Sequence, residues 1–118
     1  MKPVIELKPG QKGKFFFNLK AGNGEIIFTS QMYATKPDAL AGIASLKTHA
    51  HDDSRFERKV AKNDSPYFVL KAVNGETIGR SETYASPSSM EHGLESVKRN
   101  AATAETRDLT EIEAEAPV

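Results

Sequence analysis

Residues 17–33 read FNLKAGNGEIIFTSQMY, and residues 68–84 read FVLKAVNGETIGRSETY. The second stretch repeats the first at an offset of 51, which holds without insertion from the pair Ile5/Phe56 to the pair Ala50/Ala101. Seventeen of these 46 paired positions are identical, among them Glu6, Lys8, Phe17, Leu19, Lys20, Ala21, Asn23, Gly24, Glu25, Ile27, Ser30, Tyr33, Gly42, Ser45 and Lys47. Self-similarity at a fixed period marks a duplicated structural unit. A unit of about 50 residues is near the lower limit at which a chain buries a self-sufficient core, so the two copies are expected to share one.

Outward from the repeat, residues 4–8 alternate, with Ile5 and Leu7 on one side and Glu6 and Lys8 on the other, the period of a half-buried strand. Pro9-Gly10 turns the chain. A second strand over residues 14–21 puts Phe15, Phe17, Leu19 and Ala21 on the core face and Phe16, Asn18 and Lys20 on the outer one. The Asn-Gly pairs at 23–24 and 74–75 are hairpin signals. They are followed by a strand over residues 25–30 in which Ile27, like Ile78, is expected to point inward. Thr35 with Pro37 and Asp38, and Ser86 with Pro87, read as helix starts. Ala39, Leu40, Ile43 and Leu46 then form an apolar stripe, matched by Met90, Leu94 and Val97. Gly42 and Gly93 sit mid-helix, where glycine costs roughly 1 kcal/mol relative to alanine. Its presence in both copies predicts a close approach of helix to sheet.

Apolar residues make up 38% and charged residues 27%, an ordinary globular balance with no stretch long enough to span a bilayer. Cysteine is absent, which excludes a disulfide framework and a thiol nucleophile. The N-terminus lacks a signal-peptide pattern, and a cytoplasmic location is expected. Residues 1–100 carry 15 Lys/Arg against 11 Asp/Glu, whereas 101–118 carry one Arg against five acids. Residues 1–101 are therefore expected to form one domain of two repeats, about 4–50 and 55–101, with 102–118 a largely disordered acidic tail. The alternative for part of that tail is a short last strand at residues 106–110, which match 55–59 at the repeat offset.

The doubled FxLKAxNGE at 17–25 and 68–76, the S-x-x-Y-A at 30–34 and 81–85, and the G-x-x-S-x-K at 42–47 and 93–98 give the chain its resemblance. Over about residues 4–101 it resembles the YegP-like family of small bacterial proteins. The resemblance implies an α+β fold of two tandem β-β-β-α-β units forming a single antiparallel sheet, the strand after each helix completing the sheet of the other unit. It also implies a fused dimer, and so a monomer with internal pseudo-twofold symmetry. The family is a domain of unknown function and supplies no catalytic residue. The copies differ at Gly22/Val73, Phe15/Pro66 and Phe28/Gly79.

His49, His51, Asp52 and Asp53 are ligand-type residues at short spacing, but without a further strong donor they read as a solvated inter-repeat loop. The glycines beside Asn23 join two strands rather than a strand and a helix, and Glu25 would repel phosphate. Ser30/Tyr33 and Ser81/Tyr84 lack an adjacent base. Neither a metal nor a cofactor is expected. On the sheet face away from the helices, period two gathers Phe16, Asn18, Lys20, Ile26 and Phe28 with Tyr67, Val69 and Lys71. Lys20 and Lys71 read as the only repeated positive charges there. Of these, Phe16, Lys20, Phe28, Tyr67 and Lys71 form a candidate binding surface. The expected function is a non-enzymatic structural or protein-interaction module, with single-stranded nucleic acid on the open face second and an enzyme third. Phe17, Leu19, Ile27, Ile43, Leu46, Phe68, Leu70, Ile78, Leu94 and Val97 are the expected core, beneath two helices on one face of the sheet.

Overall fold

In each recurring hairpin only the glycine of the Asn-Gly pair takes the left-handed conformation, with φ 88° at both Gly24 and Gly75. The asparagine works through its side chain: Asn23 Oδ1 accepts from the Glu25 amide and Asn74 Oδ1 from the Glu76 amide, each at 3.0 Å. These turns join β2 (Phe15–Lys20) to β3 (Ile26–Ser30) and β5 (Pro66–Lys71) to β6 (Thr77–Arg80) in the computed structural model, which describes residues 2–110.

Both hairpins carry a bulge that alternation alone does not reveal. Lys20 faces Ile26 but Leu19 faces Phe28, leaving Ile27 as an extra residue. Lys71 likewise faces Thr77 and Leu70 faces Gly79, leaving Ile78 extra. One inserted residue reverses every side chain beyond it. Phe28, expected on the outer face, therefore shares a pairing position with the inward Leu19 and is buried in the core at 1% exposure.

The sheet has the order β4-β5-β6-β3-β2-β1-β7, with β1 at Val4–Pro9, β4 at Phe56–Val60 and β7 at Glu105–Asp108. The copies meet where β3 pairs with β6 through Thr29/Arg80 and Ser30/Gly79. All neighbours are antiparallel except β1 and β7, which run parallel from Val4/Glu105 to Leu7/Asp108. The expected wholly antiparallel sheet is thus a mixed one. The reason is local: the chain leaves the second helix beside the start of β1, where the Glu105 amide donates to the Pro3 carbonyl at 3.2 Å, and then follows that strand.

Helix α1 (Lys36–His49) is capped by Thr35, whose hydroxyl accepts from the Asp38 amide at 3.2 Å. Helix α2 (Pro87–Thr103) has a capping box in which Ser86 and Ser89 accept from each other's amides. Ala39, Ile43 and Leu46 of α1 and Met90, Leu94 and Val97 of α2 join Ile5, Leu7, Phe17, Leu19, Phe68 and Leu70 in one buried cluster. Both helices thus lie on one face, and all ten expected core residues are buried. Leu40, placed in the stripe by its sequence spacing, is 43% exposed. Ordered structure runs past the boundary expected at 101, because α2 continues to Thr103 and β7 follows. The remainder of the acidic tail, residues 111–118, lies outside the described residues.

Candidate functional site

On the outer face the repeated charges form two matching triads. Glu6 lies 3.4 Å from Lys8 and 3.2 Å from Lys20, and Glu57 lies 3.6 Å from Lys59 and 3.1 Å from Lys71. Lys8 and Lys59 therefore join Lys20 and Lys71 as repeated positive charges there, and each lysine has a carboxylate beside it. Asn18 is buried at 4% because it accepts from Lys8 Nζ at 2.8 Å and donates to Thr29 Oγ1 at 2.9 Å. The Lys8 ammonium also sits 6.0 Å from the Phe16 ring centroid. Phe16 and Tyr67 are only half-buried, but with Phe28 inside the fold the face is a smaller aromatic platform than alternation predicts.

Burial alone would raise the Glu6 carboxyl, yet the hydrogen bond and charge of Lys20, helped by Lys8, hold it below its ordinary 4.5. Glu57 is lowered chiefly by its hydrogen bond to Lys71. A carboxyl depressed in the folded state binds protons more readily when unfolded, so its contribution is present above 4.5 and lost as pH falls through the lowered folded values. Melting temperature should therefore decline below about pH 4.5. Glu6→Gln/Glu57→Gln should flatten that part of the profile, and an unchanged slope would show the triads to be energetically idle.

Other repeated polar residues secure the fold. Ser30 Oγ accepts from the Phe17 amide at 2.9 Å and donates to the Gln31 carbonyl at 2.8 Å, and Ser81 does the same for Phe68 and Glu82 at 3.0 and 2.7 Å. Each hydroxyl thus takes a backbone amide where a strand ladder ends. Tyr33 stacks on Phe17 at 6.2 Å and Tyr84 on Phe68 at 6.4 Å, each ring lying over the helix glycine of its own copy, Gly42 or Gly93. Lys47 of α1 donates to the Ala104 carbonyl at 2.6 Å, while Lys98 of α2 reaches Asp53 at 3.7 Å. Positions 53 and 104 are repeat mates, so each helix ties down the chain that leaves the other. In the inter-repeat loop His49 Nδ1 lies 2.9 Å from the Ser45 carbonyl, and Asp52 accepts from the Ser54 amide at 3.0 Å. Among the described residues no three His, Asp or Glu side chains come together as a metal site.

Where the copies meet, α1 and the turn joining β5 to β6 flank a half-open cavity of about 470 Å³. Gln31, Tyr33, Asp38 and Ser45 line it from the first copy and Asn74 and Glu76 from the second. Burial pushes the Tyr33 hydroxyl above its ordinary 10; a Gln31 hydrogen bond opposes this, and the Glu76 and Asp38 carboxylates add to it. The phenol is therefore protonated at neutral pH. No lining residue is cationic.

Residues 11–57 and 61–108 each match the family described as Domain of unknown function (DUF1508). The chain belongs to the DUF1508 family. The UPF0339 protein ACIAD0721 of Acinetobacter baylyi is 53% identical over 105 residues, covering 89% of this chain and 95% of that protein. The UPF0339 protein YegP of Yersinia pestis is 46% identical over 105 residues, with 89% and 94% covered. The solution NMR structure of yegP from E. coli, a protein of unknown function, matches with TM-score 0.86 at 42% identity, covering 92% of this chain and 93% of that one.

These matches bear out the YegP-like resemblance and the tandem α+β fold, and the names of the DUF1508 relatives assign no activity. The candidate outer-face residues divide: Phe16, Lys20, Tyr67 and Lys71 share the face, and Phe28 leaves it. The cavity residues were not gathered by sequence reasoning. A signal was nevertheless present, because Tyr33, Gly42, Ser45, Ala72, Asn74, Glu76 and Ile78 all line the cavity and all stand at identical repeat positions. No helix among the described residues is long and apolar enough to cross a membrane.

Proposed function

We propose that this chain is a non-enzymatic structural or protein-interaction module, working in the cytoplasm as a monomer that is an internal pseudo-dimer. The observation that carries this reading is the fate of the repeated hydroxyls: Ser30 and Ser81 each accept from a strand amide and donate to a backbone carbonyl, in both copies alike. A serine so committed stabilises the fold and has no lone nucleophilic role to fill.

Partner contact is assigned to the outer face, where Phe16 pairs with Lys8 and Tyr67 with Lys59, each ring half-open beside its own charge triad. Ser30→Ala and Ser81→Ala should each lower stability by about 1 kcal/mol, since each leaves a buried amide without its acceptor. Thermal unfolding checks this, and unchanged melting temperatures would free the hydroxyls for chemistry. Phe16→Ser/Tyr67→Ser should keep the melting temperature and abolish photo-crosslinking from outer-face sites in cells. Crosslinks that persist undiminished would move the interaction elsewhere.

A further inference from the structure

Going beyond an interaction role, we propose that the cavity between α1 and the β5–β6 turn binds a small organic cation carrying a primary ammonium group. Its volume of about 470 Å³ falls in the range of small-molecule sites. The chemistry of its wall selects the ligand. Asp38 and Glu76 supply negative charge, Gln31, Ser45, Asn74 and Tyr33 supply further oxygens, and the lining holds no Lys, Arg or His to neutralise them. An ammonium group has three donors and no acceptor, which complements such a wall. Asp38 and Glu76 come from different copies and line the same pocket as the Tyr33 hydroxyl. A metal ion is the poorer match, because no three ligand-type His, Asp or Glu side chains gather there among the described residues.

The repeat supplies an independent argument. Most identical residues lining the cavity serve the fold, since Tyr33 and Gly42 fit one another and Asn74 closes the turn with its side chain. Glu76 does not fit that pattern. The turn uses its amide, which donates to Asn74 Oδ1, whereas its carboxylate is exposed and, among the described residues, accepts from Asn74 Nδ2 at 3.2 Å. A turn would tolerate many side chains at that position, and both copies hold glutamate.

The mate of the cavity exchanges one acid for another. It has Ser89 where the first has Asp38 but Glu82 where the first has Gln31, and it has His92 where the first has Ala41. Its two acids are kept, and the imidazole is an added donor beside them that competes with an ammonium group, so the mate should bind the same cation more weakly.

The test is a titration of the full chain, labelled with nitrogen-15, followed by amide chemical shifts. The probe is 1,4-diaminobutane, with succinate as the anion of similar length and magnesium chloride as the metal control. Saturable shifts are expected at Gly42, Ser45, Asn74 and Glu76 with the diamine alone. Glu76→Gln should weaken binding roughly tenfold, as expected for loss of a charged hydrogen-bond acceptor, and Asp38→Asn/Glu76→Gln should remove saturation while the spectrum stays dispersed. Glu25→Gln, in the mate, should leave the affinity read at Gly42, Ser45, Asn74 and Glu76 unchanged. Four outcomes would overturn the proposal: no shifts at tens of millimolar diamine, equal shifts with succinate or magnesium, equal affinity in wild type and the double variant, or shifts confined to the outer face around Lys20 and Lys71. None of these bears on whether the outer face contacts a protein, so the two readings fail separately.

Discussion

Replacing Gly79 with alanine should cost about 3 kcal/mol, at the upper end of what overpacking a core produces. A Cβ at that position would lie 2.6 Å from Cε2 of Phe28 and would also overlap the Thr29 carbonyl oxygen. That oxygen belongs to the pairing of β3 with β6, so it cannot retreat without loosening the seam between the copies. The missing side chain is in effect supplied by Phe28. Positions 28 and 79 are repeat mates, and a phenylalanine at both would demand the same space twice. In a symmetric dimer of single units both positions must carry the same residue, whereas a fused chain is free to set one ring against one glycine. Phe28→Ala should accordingly cost about 3 to 5 kcal/mol. The exchanged double variant Phe28→Gly/Gly79→Phe should be more stable than Gly79→Phe alone, because the ring then fills the seam from the other side. Urea unfolding of the set decides it. A Gly79→Phe protein as stable as the exchanged one would show that the two positions do not share space.

What could be read from the sequence depended on whether the signal was local. The turns were legible, because asparagine followed by glycine has a narrow set of conformations, and the helix starts were legible from Thr35 and Ser86 with the prolines behind them. The duplication made Phe17/Phe68 and Leu19/Leu70 secure as core, since two copies rarely keep large apolar residues in phase by accident. Phe28 was misplaced because Ile26, Ile27 and Phe28 are all apolar, so no polar residue marks where the bulge inserts a step. The last strand was legible through the repeat offset alone, which offered 106–110 as the alternative against the observed Glu105–Asp108, and its parallel direction was hidden. Glu105, Thr106, Arg107 and Asp108 contain no apolar residue, and β7 exists through backbone pairing to β1 and the tie from Lys47 to Ala104. The cavity escaped for a third reason. Asp38 and Glu76 are far apart in the chain, and only the meeting of β3 with β6 brings α1 of one copy over the turn of the other.

Gly42 and Gly93 were expected to mark a close approach between helix and sheet, and the structure names the group that approaches. A Cβ at 42 would lie 2.6 Å from Cζ of Tyr33, and one at 93 would lie 2.5 Å from Cζ of Tyr84. Neither ring can slide aside freely, because each stacks on a core phenylalanine at interplanar angles of 9° and 11°. Two effects therefore oppose each other in Gly42→Ala. Alanine favours the helix by roughly 1 kcal/mol, and the forced displacement of the tyrosine costs more, leaving a net loss of about 2 kcal/mol. Removing the obstacle should reverse the sign. In a Tyr33→Ala background, Gly42→Ala should stabilise the protein by about 1 kcal/mol, which makes the coupling between the two positions about 3 kcal/mol, the top of the range for residues in contact. Gly93 with Tyr84 should behave alike, whereas Gly42→Ala combined with Tyr84→Ala should be additive, since those residues do not touch. Chemical denaturation of the complete set measures all of this. An equal cost for Gly42→Ala with and without the Tyr33 ring would mean that the glycine is kept for something other than the tyrosine above it.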